Sequence, residues 1–168
     1  MPAFARDPHH WLHRLSPDEW VRAALAELAA AERAFRQQNA RAGHASARRA
    51  AGMALNGALI VEPNPAWGRS YVEHLAALAR EGEAVPAPVR DAARLLTEAP
   101  APGAALVALR SRAADERLLE AARTVMAHAY ARVKRTAPLD EASAGAAAPP
   151  AAPDPPADAP AEGAETDP

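Results

Sequence analysis

From Pro17 onward, Val21, Leu25, Leu28 and Phe35 fall on one stripe, with Arg22, Arg33 and Arg36 mostly off it. Spacings of three, four and seven residues belong to a helix with one buried face. Ser16-Pro17-Asp18-Glu19 supplies its start: a Ser N-cap, Pro at the first helical position, and Glu three residues after the cap. The pattern predicts a helix of about seven turns ending near Gly43. A second helix, from about Ala45 to Ile60, is nearly free of side chains. Ala47, Ala50, Ala51, Gly52, Ala54, Gly57 and Ala58 outnumber Met53, Leu55, Leu59 and Ile60. Each Gly inside a helix costs about 1 kcal/mol against Ala, so the two glycines imply close backbone approach, and the helix belongs at the centre of a bundle.

Pro63 and Pro65 force a break. Trp67 to Arg80 reads as a third helix with Tyr71, Val72, Leu75, Leu78 and Ala79 inward and Gly82 as its stop signal. After Pro86 and Pro88 comes a short helix carrying Val89, Ala92, Ala93, Leu95 and Leu96. Pro100-Ala101-Pro102-Gly103 reads as a turn, and Leu106 to Leu109 as a short extra turn. A last helix, about Arg112 to Arg135, sets Leu118, Ala122, Val125, Met126, Ala129 and Val133 on its inner face. No segment alternates as a strand does. The expected fold is all-α: a four- to five-helix up-and-down bundle over residues 16–136, an N-terminal extension over 1–15 and a tail over 137–168.

Composition sharpens the boundaries. Of 168 residues, 49 are alanine and none is cysteine. Disulfide frameworks, thiolate metal sites and cysteine nucleophiles are therefore excluded. The net charge of −2 conceals an asymmetry. Residues 1–137 hold all 19 basic residues against 14 acidic ones, while 138–168 hold seven acids, eight prolines and no base. A segment so poor in apolar groups cannot offset its ordering entropy, so the Pro/Ala-rich acidic tail is expected to be disordered. No window approaches the ~20 apolar residues of a membrane span, and Met1 to Arg14 lacks a secretory layout. A cytoplasmic protein without membrane attachment is expected.

Three groups of residues carry candidate chemistry. His9 and His13 are four apart and can share a helical face as a metal pair. No ligand set is completed nearby, and packing of Trp11 on the bundle explains the segment as well, so no metal or cofactor is assigned. Arg123, His128 and Tyr130 suit metal-independent RNA cleavage: a histidine moves a proton at neutral pH, an arginine stabilises charge on phosphate oxygens, and a tyrosine offers a hydroxyl or a stacking face. The Arg-x(4–6)-His spacing also occurs at Arg6/His13 and Arg69/His74, but only the third is extended by His-x-Tyr. Five residues of helix turn about 500°, which sets Arg123 and His128 about 140° apart. They border the apolar stripe on opposite sides unless the helix is distorted or a second subunit contributes. Arg41, His44, Arg48 and Arg49 form a basic cluster at the start of the second helix, where side chains and helix amides together can hold a phosphate. The chain shows no Gly-rich phosphate loop, no paired carboxylates and no Ser/His/Asp set.

In helix order and content the chain resembles the HEPN domain (higher eukaryotes and prokaryotes nucleotide-binding) of bacterial proteins. The residues that carry the likeness are Trp20–Phe35, Ala47–Leu59 (ARRAAGMALNGAL), Tyr71–Leu78 (YVEHLAAL), Val89–Leu96 and Leu118–Val133, within a span of about 115 residues. Many members carry an Arg-x(4–6)-His ribonuclease motif, and one branch of antitoxin-paired toxins extends it to Arg-x4-His-x-Tyr. Arg123, His128 and Tyr130 match the extended form, whereas Thr124 stands where the family usually has Asn, Asp or His. The resemblance implies a homodimer with motifs paired across a two-fold axis, and a nucleotidyltransferase or an antitoxin as possible partner. Its first implication for function is a module that binds a nucleotide, RNA or a partner, in a toxin–antitoxin or defence-type system. Its second is a metal-independent ribonuclease using Arg123 and His128. A non-catalytic helical scaffold is the third reading.

Overall fold

The computed structural model describes residues 4–98 and 112–136. Helix α1 spans Pro17–Arg36, α2 Ala40–Val61, α3 Tyr71–Arg80, α4 Ala87–Glu98 and α5 Arg112–Thr136, with a 3-10 turn at Pro65–Trp67 between α2 and α3. The protein is all-α, with no strand among the described residues. Among the described residues no helix is long and apolar enough to cross a membrane. The expected turns at 100–103 and 106–109 and the acidic tail lie outside the described residues.

Helix α2 is the axis of the bundle and touches each of the other four helices. Its small residues make this possible. A Cβ on Gly52 would stand 2.4 Å from the Tyr71 Cβ of α3, and one on Gly57 2.8 Å from the Pro17 carbonyl oxygen of α1. Twelve of the 22 residues of α2 are buried. On α5, Leu118, Ala122, Val125, Met126, Ala129 and Val133 are all buried, as their spacing predicts.

The Ser16 capping box forms: the Ser16 hydroxyl accepts from the Glu19 amide, and the Glu19 carboxylate accepts from the Ser16 amide. The N-terminal extension is tied to it. Arg6 Nη2 donates to both Glu19 oxygens at 2.8 and 2.7 Å, and these bonds pull the Glu19 carboxyl down to about 2. Leu12 enters the core while its carbonyl accepts from Trp20 Nε1 at 2.8 Å.

Two boundaries differ from expectation. Helix α1 stops at Arg36 rather than near Gly43, and α2 starts at Ala40 rather than Ala45. The break is a C-terminal turn without glycine. The Gln38 amide donates to the Phe35 carbonyl, the Asn39 amide donates to the Ala34 carbonyl, and Gln38 takes a φ of 59°. Asn39 then caps α2 through the Ala42 amide. Gly43, expected as the stop, lies inside α2, where a Cβ would meet the Phe35 ring at 2.6 Å. Because a left-handed residue with a Cβ costs about 1–2 kcal/mol, Gln38→Gly is expected to stabilise the protein by about 1 kcal/mol after the entropy of glycine is set against it. Urea denaturation of the full chain measures it; a destabilising result would refute the strained turn.

The third helix likewise starts at Tyr71 and not Trp67. Ser70 and Glu73 form a second capping box there, while Trp67 sits buried in the separate 3-10 turn. Leu25 and Val72, expected inward, are 55% and 52% exposed. Leu28 and Phe35 are buried as expected, and Ala24 and Ala31 complete the inner edge of α1 in place of Leu25.

Candidate functional site

Helix α5 separates the three residues of the Arg-x4-His-x-Tyr match. Arg123 lies on its α1-facing flank, where Nη2 donates to Glu32 Oε1 of α1 at 2.7 Å and Nη1 to Glu120 Oε2 at 3.2 Å. The bond to Glu32 is the main reason the guanidinium holds its proton even more firmly than usual. Tyr130 is seven residues on and so shares that flank. It is exposed, with Lys134 Nζ 5.7 Å from its ring centre. His128 lies on the opposite flank, among charges from the ends of other elements. Burial lowers its affinity for a proton, Arg132 and Arg135 lower it further, and Glu81 and Glu62 oppose them. Its Nε2 is buried without a hydrogen-bond partner among the described residues. Helix α5 is continuous through this stretch, so Arg123 and Tyr130 share one flank about 10 Å apart along the axis, and His128 does not.

The surroundings of His128 contain a charged cluster that sequence spacing does not reveal. Glu62 and Glu81 occupy the C-caps of α2 and α3, where the helix dipole disfavours an anion. Cations from α5 offset this. Arg132 meets Glu62 at 3.2 Å and Glu81 at 3.9 Å, and Arg135 meets Glu62 at 2.9 Å. Arg132 also lies 5.6 Å over the Trp67 ring, whose Nε1 donates to Glu81 at 2.7 Å. The cluster ties the ends of α2, α3 and the 3-10 turn to α5. Its carboxylates are engaged by arginines, which suits cross-linking of helices better than proton transfer. Residues 62, 81 and 132 are too far apart in the chain for any local pattern to have paired them.

The basic cluster of α2 is drawn inward. Since α2 begins at Ala40, only Arg41 and His44 lie near its N-terminal amides; Arg48 and Arg49 start two turns further on. His44 Nε2 is 4.0 Å from Asp115 of α5, and its ring is 5.5 Å from that of Phe35. Arg48 Nε donates to the Leu96 carbonyl of α4. Arg49 forms an ion pair with Glu27 of α1 and donates to Ser46 Oγ at 3.0 Å. Arg41 is exposed. Three of the four thus join α2 to its neighbours.

In the N-terminal extension it is His10, rather than His9, that approaches His13, with ring centres 4.6 Å apart. Trp11 packs on His74 instead, at 6.1 Å between ring centres. No group of three His, Asp or Glu residues placed to hold a metal occurs among the described residues. A hollow of about 780 Å³ opens where the C-terminal end of α1 meets the N-terminal end of α5, with Phe35 and Leu119 among its lining and Glu32, Arg36, Asp115 and Arg123 around them. Comparison with family models, curated proteins and solved structures finds no match for this chain.

Proposed function

We propose that this protein is a HEPN-like helical module that works by binding a partner protein and not by cleaving RNA. The observation that supports this reading is the division of α5: Arg123 is held by two carboxylates on one flank, while His128 is half-buried on the other. A ribonuclease site needs a proton-transfer group and a charge-stabilising group around one phosphate, within hydrogen-bond reach of the reacting atoms. Each protomer keeps them apart. The engagement of Arg48, Arg49 and His44 within the bundle likewise leaves Arg41 as the exposed cation of the α2 cluster not engaged in this way.

The test is incubation of the full chain with RNA in EDTA, beside His128→Ala. Neither protein is expected to cleave. Cleavage by the parent that disappears in His128→Ala, at an unchanged melting temperature, would overturn the reading and establish the metal-independent ribonuclease instead. A thermal shift with ATP, lost in Arg41→Ala, would replace the partner protein by a nucleotide as the ligand.

A further inference from the structure

Residues 4–15, which precede α1, lie across the first turns of α1 and α3. Arg6 pairs with Glu19, the Leu12 carbonyl accepts from Trp20 Nε1, Leu12 enters the core, and Trp11 covers His74 with the two rings inclined at 27°. The segment forms no helix. Its amides at Asp7, His10 and His13 donate to the carbonyls of His13, Asp7 and His10. It is a strap closed on itself and fastened to the bundle at a few points, the kind of unit that opens locally at less cost than a packed helix. The fastening at Arg6 is insensitive to mild acid, because the Glu19 carboxyl, held down to about 2 chiefly by the Arg6 bond, keeps its charge. The fastening at Trp11 rests on a fully buried histidine.

Three rings wall His74 in, and they are not equally fixed. Trp67 is 2% exposed, donates through Nε1 to Glu81 and has Arg132 over its face. Tyr71 is built into α3 and stands against Gly52 of α2. Trp11 is only partly buried and belongs to the strap, so the easiest path from His74 to water runs through Trp11. A protonated imidazole carries two N–H donors, and neither His74 nitrogen has a hydrogen-bond partner among the described residues. The charged groups around the pocket supply none. Glu73, on the same helix, accepts from the Arg69 and Ser70 amides. Arg14 of the strap, Arg49 of α2 and Glu27 of α1 gather round Tyr71, the last two paired with each other. His10 of the strap lies 6.2 Å from Trp11. The rings, at 6.1–6.5 Å between centres, stand at or beyond the reach of about 6 Å at which a cation–π contact would offset the burial of a charge.

We infer that residues 4–15 are an acid-released strap: a proton taken up by His74 lifts Trp11 and Leu12 from the bundle and bares a cleft between the starts of α1 and α3, lined by Trp20, Tyr71 and His74. With the strap closed, burial holds the proton affinity of His74 below the ordinary value; with it lifted, the ring meets water and returns toward 6.5. The open form therefore binds a proton that the closed form refuses. The ratio of open to closed rises by up to about tenfold for each unit that pH falls below 6.5. The Arg6–Glu19 pair stays made and tethers the strap for reclosure. None of this depends on what the bundle binds.

Hydrogen exchange of the full chain tests it, read at the His10 and His13 amides and corrected for the intrinsic effect of pH. Global unfolding exposes His74 too, so it is a gap between strap and α2 that marks a local opening. Protection of the strap should be weaker than that of α2 at every pH and should fall by up to about tenfold per unit below pH 6.5. In His74→Leu that fall should vanish. In the double variant His10→Gln/His13→Gln, which leaves His74 as the histidine next to Trp11, it should persist. Trp11→Ala should leave the strap unprotected above pH 6.5 while α2 stays protected. Strap amides as well protected as those of α2, a fall that survives His74→Leu, or one abolished by His10→Gln/His13→Gln would each overturn the assignment.

Discussion

Gly52→Ala is expected to destabilise the protein by about 3 kcal/mol, although the same change in an exposed helix stabilises by about 1 kcal/mol. Local propensity favours alanine; the tertiary approach forbids it. The added methyl would stand 2.4 Å from the Tyr71 Cβ and 2.5 Å from its Cγ and Cδ1. A rotamer change can move the ring, but the Tyr71 Cβ is fixed to the backbone of α3. Ordinary contact therefore requires α3 to withdraw from α2 by about 1 Å, and close-packed interiors resist such shifts. The contacts at stake include those of Leu75, Leu78 and His74, all fully buried on α3. Urea denaturation of the full chain should show a lower midpoint with native helical content in water. Gly82→Ala is the control, since nothing lies within 4 Å of its position; its effect should stay within about 0.5 kcal/mol. A Gly52→Ala chain as stable as the parent would mean that α2 and α3 do not approach as closely as described.

That packing was legible in the sequence, because a helix of alanine and glycine has only one advantageous place in a bundle: where backbones must meet. The Ser16 capping box and the full length of α5 were legible for similar reasons, each being a local pattern with a local cause. The α1–α2 turn was hidden by its residues. Gln38 adopts the left-handed conformation without being glycine, so the nearest glycine, Gly43, attracted the boundary. On α1 the expected stripe holds at Leu28 and Phe35 but not at Leu25, whose place on the buried face is taken by Ala24 and Ala31; in a chain this rich in alanine, a large residue is a poor guide to the inner face. The charged partners of the candidate site, Glu32 for Arg123 and Glu62 and Glu81 around His128, lie on other helices. Sequence spacing could give the angle between Arg123 and His128 on α5, but not which neighbour each would meet.

His74, which the sequence marked only by its spacing from Arg69, governs an expected loss of stability on acidification. His74 is fully buried on α3, with the rings of Trp11, Trp67 and Tyr71 between 6.1 and 6.5 Å from its own. Neither ring nitrogen has a hydrogen-bond partner among the described residues. Burial is the chief reason its pKa falls below the ordinary 6.5; the Gly68 carbonyl, the Glu73 carboxylate and the Gly52 carbonyl favour the proton but are outweighed. The unfolded chain therefore binds a proton at a pH where the folded protein does not. The stability contributed by neutral His74 is fully present above pH 6.5 and is lost as pH falls from there toward the lowered folded value. The slope from this one group cannot exceed about 1.4 kcal/mol per pH unit. His128, also lowered, adds to the loss with the same sign. His74→Leu removes both the titration and two unsatisfied nitrogens, whose burial costs about 1–3 kcal/mol against a similarly shaped apolar group. The variant is expected to match or exceed the parent at pH 7 and to gain on it as pH falls below 6.5. Thermal melts in matched buffers across that range measure the difference. Parallel pH curves for the two proteins would show that His74 is protonated, or paired, inside the fold.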